Sequence, residues 1–416
     1  MRLLYLALDC PLPANNGLRL RTWCMLRALR QEGCQITLVC QQAAGAAPSR
    51  SALHEVCESV WMLDHRVSSL TQGGDWGARL GSLASALPHA ALRFRSAAVR
   101  DLVARLGQAK TADAIVCDTV FAAVNVPDEL RPLIINHHNI EHRIFESYRA
   151  VETNPCKRAA AGWECRKVRD WELQVGRRAA LQWVCSGTDR AALLRQQPHA
   201  RVVVAPNIAD RLESAPGGET DPNLVLFQGA LDWFPNRDAV EFFLESAWPL
   251  VLRRCPEARL RIVGRNPPPA FLARHRHRAG VEFTGTVADV YPHLTQAAVS
   301  IAPLRIGSGT RLKILEAAAL AKPVVATPLG AEGLELVPDE EILLAEQPAE
   351  FAAAVACLLG SPELRHRIGS AARARVCAQY SFAALRQSVR LGLEALVVPS
   401  RTPAGVCMRD VAALES

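Results

Sequence analysis

Pro303–Leu334 reads PLRIGSGTRLKILEAAALAKPVVATPLGAEGL. The apolar run Val299–Ala302 before it has strand character, and the loop that follows carries two glycines, Gly307 and Gly309. A helix is expected from about Thr310 to Ala321. Pro323 ends it, and Val324–Ala326 is the next buried strand. The glycine loop therefore sits at a helix N-terminus. Free backbone N–H groups and the positive end of the helix dipole suit such a loop to an anion. Arg311 and Lys313 add positive charge in the first turn, which the dipole disfavours unless an anion binds there. Glu316 follows Lys313 on nearly the same face, while Leu312, Leu315 and Ala319 form an apolar stripe turned elsewhere. A diphosphate over Ser308, Gly309 and Thr310, with a ribose against Glu316, uses all of these groups. The same residues also fit a surface Lys–Glu pair, worth only about 0.2–0.5 kcal/mol. Neither the Walker phosphate-loop pattern nor the dinucleotide fingerprint is present.

Working outward, the chain divides into two successive α/β runs. Leu3–Leu8, a loop to Gly17, a helix over about Leu18–Gln31 and Ile36–Cys40 make a βαβ unit, which implies a parallel sheet. Further strands are expected at Ser59–Leu63, Ala114–Cys117, Leu133–Ile135, Gln182–Cys185 and Arg201–Val204. Helical pattern covers 76–107, broken at Pro88, and Glu141–Ala180. The polar stretch Ala209–Pro222 reads as a linker. The alternation then restarts with Leu224–Phe227, a helix over about Asp238–Arg253, Leu260–Val263 and Val281–Phe283. It runs on to Ile342–Leu344, and residues 349–397 are nearly all helical. The expected architecture is α/β: two Rossmann-like domains facing each other across a cleft. They span residues 1–208 and 223–397, with a linker at 209–222 and a loose tail at 398–416.

Composition narrows the class. The chain has 416 residues, half of them hydrophobic and 21% charged, as in a globular protein of two domains. The net charge of +7 is compatible with anionic substrates or an anionic membrane surface. The opening MRLLYLALDC is too short for a signal core and is interrupted by Asp9, so it reads as a buried strand. No apolar run reaches transmembrane length. The 13 cysteines are scattered without a CxxC pair, which argues against a disulfide framework or zinc cluster and for a reducing cytoplasm.

Four other stretches carry chemistry. Asn15-Asn16-Gly17 follows the first strand, where a glycine lets a ligand approach the backbone, or simply makes a turn. In HHNIEH, the residues His138, Glu141 and His142 match the inverted zinc-peptidase pattern, but the first histidine directly follows a strand rather than lying on the helix. At a strand end His138 reaches the cleft, where it can bond substrate or move a proton, or it caps the next helix. The helical segment 156–180 carries Trp163, Trp171 and many basic residues, fitting either an anionic lipid surface or an ordinary solvated helix. Gly229 and Gly264, the latter followed by Arg265, end two strands of the second run, where a nucleotide would lie.

Together these strings resemble glycosyltransferase family 4, retaining transferases of GT-B fold, and within it a bacterial exopolysaccharide-type subgroup. GALDWFPNRDAVEFFL, LRIVG and VEFTGTVADVYPHLTQAAVSIAPLRIGSGTRLKILEAAALAKPVVATPLGAEGL follow that family's donor domain. PLPANNG and HHNIEH fit its first domain. The resemblance implies that Glu316 contacts the donor ribose as the second acid of an E-x7-E motif, whose first acid is replaced by Ser308. It implies that His138 supports the transferred sugar. Asn236 and its neighbours lack the family's usual diphosphate-binding lysine, which leaves that role to Lys313 and Arg311, with Arg237 a weaker substitute. It further implies a nucleotide diphosphate sugar as co-substrate, no bound metal or other cofactor, and a polysaccharide or lipid-linked oligosaccharide as acceptor. The expected place is the cytoplasm or the inner face of the plasma membrane. No nucleic-acid partner is expected. A nucleotide-sugar epimerase and a degenerate binding module are the alternatives.

Overall fold

The computed structural model describes residues 1–42, 50–64, 85–109, 112–130, 132–209 and 219–397. The expected tail 398–416, most of the linker and the helical reading of 76–84 lie outside them. Among the described residues, seven strands build the first sheet: β1 (Arg2–Ala7), β2 (Gln35–Gln42), β3 (Ser59–Asp64), β4 (Ala114–Asp118), β5 (Leu133–Asn136), β6 (Ala179–Val184) and β7 (Val202–Val204). Six build the second: β8 (Leu224–Gln228), β9 (Arg259–Val263), β10 (Val281–Gly285), β11 (Val299–Ala302), β12 (Val324–Ala326) and β13 (Leu343–Leu344). The orders are β3-β2-β1-β4-β5-β6-β7 and β10-β9-β8-β11-β12-β13, and all the pairings are parallel.

The strands read as unbroken apolar runs because helices cover both sheet faces. Along β1, Leu3 and Tyr5 point into one core with the helix Gly17–Gln31. Leu4 and Leu6 point into the other, with Val168 and Trp171. The second sheet divides the same way, with Val225 and Phe227 on one face and Leu226 and Ala302 on the other. The last helix, Phe382–Val397, returns to the first sheet: Leu385 and Val389 join its core. The Arg27 guanidinium lies 4.6 Å from the Phe382 ring.

Local departures from the sequence reading have local causes. Glu141–Ala180 is two helices, Glu141–Val151 and Pro155–Arg178, since Asn154 caps the second and Pro155 starts it. The helix expected from Asp238 begins at Phe234 and passes through a π turn, Phe243–Ala247, just before Pro249, which has no N–H to give to the ladder. The helix after the glycine loop is shorter than expected, Leu312–Ala319, and Ala321 follows at φ +54°.

In both sheets the strand order reverses at the first strand, between β1 and β4 and between β8 and β11. In open parallel sheets, ligands gather beyond the carboxyl ends at such points. Asp118 ends β4, Gln228 ends β8, and the Pro303–Thr310 loop leaves β11.

Candidate active site

The second-domain wall is built from β8 and the helix Leu312–Ala319. Gln228 Nε2 donates to Glu316 Oε2 at 2.7 Å, fixing the carboxylate. Lys313 Nζ donates to Asn236 Oδ1 at 2.9 Å and stands 4.2 Å from the centre of the Phe227 ring. The two members of the expected Lys–Glu pair are therefore anchored on different partners. Burial pushes the Lys313 ammonium down to about 7, Arg311 adds to the shift, and Glu316 opposes it. An anion arriving here would meet a group poised to take a proton.

Arg311 differs from its expected place in the first turn. It is the residue before the helix, in extended conformation, and its guanidinium folds back under the loop. There Nη1 donates to the carbonyls of Gly309, at 2.9 Å, and Ser308. A Cβ on Gly307 would come within 2.4 Å of Arg311 Nη2, so the loop and the guanidinium fit only without a side chain at 307. Burial lowers Arg311 to about 10, against the opposing pull of Glu332 and Asp189. Its role here is to shape the loop.

The first-domain wall centres on Asp118, which is fully buried. Its carboxylate accepts from Tyr5 Oη at 2.8 Å, Asn136 Nδ2 at 2.6 Å, His138 Nε2 at 2.9 Å and Thr22 Oγ1. Burial raises its pKa, but His138 and these hydrogen bonds together hold it below the usual carboxylate range. Because a carboxylate only accepts, the bond fixes the His138 proton on Nε2. Arg21 Nη2 donates to Asn136 Oδ1 at 2.8 Å, and Arg21 Nη1 reaches Asn207 Oδ1 at 3.1 Å. Asn207 Nδ2 donates onward to Thr310 Oγ1 at 2.8 Å. One polar network thus runs from the first-domain carboxylate to the second-domain loop.

The two walls touch over that loop. Ile140 N donates to Ser308 Oγ at 3.3 Å, and Gly307 N donates to Ser147 Oγ at 2.9 Å. Arg143 pairs with Glu332 at 2.6 Å. Gly309, at φ +74°, lies so close that a Cβ would fall 2.9 Å from the His138 carbonyl and 2.8 Å from the Asn139 amide. Ser308 and Thr310 are consequently buried against the first domain.

Other sequence candidates have more ordinary places. A Cβ on Gly264 would meet the Gly229 carbonyl at 2.5 Å, and one on Gly229 the Asn236 amide at 2.8 Å. Both glycines let chain segments pack together. Arg265 lies 3.9 Å from Asp232. Asn16 Oδ1 caps the helix Gly17–Gln31 by accepting from Arg19 N at 2.9 Å, and Asn15 Oδ1 accepts from Arg19 Nη1 at 3.4 Å. Gly17 instead meets the other domain: a Cβ there would lie 3.1 Å from Leu312 Cδ1. His142 Nδ1 bonds Glu172 Oε2 at 2.5 Å while His138 is held by Asp118, so the zinc-peptidase pattern is not assembled. Among the described residues, one group of His, Cys, Asp and Glu lies close enough to hold a metal. It is Glu241, Glu245 and His275, whose carboxylates are already bridged by Arg274. On the basic helix, Lys167 is buried on Glu164 at 3.0 Å and Trp171 Nε1 donates to the Val120 carbonyl at 3.0 Å. Trp163 is exposed (46%), with Arg166 and the exposed turn carrying Lys157 and Arg158 on the same helix.

Sequence reasoning missed Asp118, Asn136, Asn207 and Gln228 as site residues. The available signal was a polar residue ending an otherwise apolar strand, as Asp118, Asn136 and Gln228 do.

Residues 222–361 match the family described as Glycosyl transferases group 1. No curated protein sequence matches the chain. Among solved structures, sucrose-phosphate synthase from Thermosynechococcus elongatus superposes with a TM-score of 0.67 at 16% identity, over 95% of this chain and 98% of that one. HepE of Anabaena, in complex with UDP and glucose, gives 0.60 at 17%, over 94% and 99%. TarM of S. aureus, as a variant in complex with Fondaparinux, alpha-GlcNAc-glycerol and UDP, gives 0.57 at 15%. The match covers 71% of this chain and 58% of TarM. The fold is GT-B.

Proposed function

We propose that this chain, a GT-B-fold protein carrying a group 1 glycosyltransferase domain, transfers a hexose from a nucleotide diphosphate sugar to a glycan or lipid-linked oligosaccharide, with retention of configuration. The observation that carries the reading is the second-domain wall: an enclosed Lys313 ammonium beside a Glu316 carboxylate fixed by Gln228, at the β8/β11 switch point. Lys313 answers the diphosphate and Glu316 the ribose hydroxyls. Negative charge grows on the leaving diphosphate as the glycosidic bond breaks. An ammonium held in place by Asn236 and Phe227 stabilises it without reorganisation. This is the work a metal would otherwise do, so catalysis is metal-independent. His138, oriented by Asp118, faces the sugar from the other domain. The contacts of Ser147 and Ile140 with the glycine loop, and of Arg143 with Glu332, describe the closed state that excludes water. Ser308, in place of a carboxylate, offers the sugar a hydroxyl instead of a charge.

HepE and TarM were solved with UDP, which supports a uridine diphosphate donor as the first to try. The exposed Trp163 and its cationic neighbours support attachment to the inner face of an anionic membrane, where a lipid-linked acceptor of exopolysaccharide synthesis would be met. Among the described residues, no helix is long and apolar enough to cross a membrane. Incubation with a nucleotide-sugar panel and membrane-lipid acceptors, followed by proton NMR of the new glycosidic bond, tests the reading. Retention gives the donor's anomeric configuration. Acceptor-independent turnover of the donor would point to an epimerase, and tight binding without turnover to a binding module.

A further inference from the structure

A cavity lies on the far side of the second domain from the cleft. It has a volume of about 550 Å³ and is lined by Thr220, Thr295, Lys322, His366, Ser370 and Arg373 among others. That volume is in the range of small-molecule sites. Thr220 precedes β8, and Lys322 lies in the turn between the helix Leu312–Ala319 and β12. His366, Ser370 and Arg373 come from the helix Pro362–Gln379. The cavity therefore opens at the amino ends of the strands, opposite the switch point. Among the described residues, three basic groups line it and no carboxylate does. The acids flanking Thr220 in sequence, Glu219 and Asp221, are not among the lining residues, and Asp221 is taken by Arg259.

Cations near a helix C-terminus often only offset the dipole. Arg373 does so, donating to the Ala319 carbonyl. Lys322 does not. Its side chain is nine-tenths buried, and Nζ donates to the neutral hydroxyl of Thr220 at 2.9 Å. An ammonium has three protons to give, so a nearly buried one on a neutral hydroxyl is under-compensated. Burial lowers Lys322 to about 8, with Arg365 adding to the shift. Hydroxyls of Thr220, Thr295 and Ser370 beside these cations match a ligand that carries both phosphate and hydroxyl groups.

We propose that this cavity is a second anion site, which takes a small phosphorylated polyol of the sugar phosphate class. It is separate from the cleft. The helix Leu312–Ala319 has Lys313 at one end and Leu320 of the cavity just past the other, about 10 Å apart at 1.5 Å per residue. One diphosphate cannot span both.

Cys377 also lines the cavity and is exposed, which supplies a local reporter. The intact chain is treated with N-ethylmaleimide, and Cys377 labelling is followed by peptide mass, with glucose 6-phosphate, inorganic pyrophosphate or glucose present. Both phosphate probes are expected to slow labelling at Cys377, while glucose does not. In Lys322→Met, protection should need about tenfold more of either probe, the loss of one charge-assisted contact. In Lys313→Met it should be as in the wild type. Unchanged labelling of the wild type with both phosphates, or equal protection in Lys322→Met, overturns the proposal. Neither result touches the donor reading, whose residues are not in the cavity. Removing a nearly buried ammonium leaves Lys322→Met at least as stable as the wild type, and a melting curve checks that it is folded.

Discussion

Lys313→Met should move stability and ligand binding in opposite directions. In the free protein the ammonium is pushed from 10.5 to about 7. At about 1.4 kcal/mol per unit, that shift corresponds to a ceiling of about 5 kcal/mol against the charged form. Lys313 is of intermediate exposure, so water relieves part of this, and the lost bond to Asn236 subtracts about 1 kcal/mol more. A net gain of about 1–3 kcal/mol at pH 6 is expected for Lys313→Met. The sign with pH follows from a folded value below the unfolded one. The unfolded chain binds more protons between about pH 7 and 10.5, so wild-type stability climbs through that window, and the advantage of Lys313→Met shrinks across it. Urea unfolding at pH 6 and pH 9.5 measures both points. Calorimetry with pyrophosphate at pH 8 should show proton uptake on binding by the wild type, and affinity at least about tenfold weaker in Lys313→Met. If Lys313→Met melts below the wild type at pH 6 and binds pyrophosphate normally, the lysine is structural and the donor is placed wrongly.

Glu316→Gln should weaken nucleoside diphosphate binding by about tenfold while sparing pyrophosphate, because only the ribose contact is lost; paired titrations decide it. Gly309→Ala forces a Cβ against the His138 carbonyl at positive φ, so the domains should stand apart; small-angle scattering should show a larger radius, and kcat should fall more than affinity. Asp118→Asn removes a buried carboxylate held by four donors, and should cost about 2–4 kcal/mol at pH 7, a cost that is lost as pH falls through the lowered native value, below the usual carboxylate range, where the wild-type acid is itself protonated; acid unfolding curves of both proteins test this. Charge reversal at Arg166, with Trp163→Ser, should weaken binding to anionic liposomes, and high salt should weaken the wild type in the same way; Lys167 is unsuited to this test because it is buried on Glu164.

The fold was legible because parallel strands covered on both faces leave unbroken apolar runs, and Pro323 and Gly33 punctuate the units between them. The placement of Lys313 and Glu316 on one short helix directly after the glycine loop was legible, because spacing fixes which side chains share a face. Arg311 was expected in the first turn of the helix but is the residue just before it, with its guanidinium turned back to the loop carbonyls. Its conformation depends on the Gly307 backbone and on Glu332, neither of which follows from helical periodicity. Gly229 and Gly264 were read as lying where a nucleotide would lie; in the structure each also meets a neighbouring chain segment, and a strand-end glycine looks the same in sequence in either case. The Asp118–Asn136–Arg21–Asn207–Thr310 network is assembled from five separate segments, and only tertiary folding brings them together. Among the cations of the helix Pro155–Arg178, composition alone could not separate Arg166, which faces solvent, from Lys167, which is buried against Glu164.

The central claim is that the Lys313–Glu316 wall holds the diphosphate and ribose of a sugar donor. Equilibrium titration of wild type, Lys313→Met and Glu316→Gln with UDP, GDP and ADP sugars tests it most directly. The account predicts one nucleotide sugar bound per wild-type chain, for at least one base, and about tenfold or greater loss in both variants. Wild-type binding that survives both substitutions, or no binding of any nucleotide sugar, would contradict it.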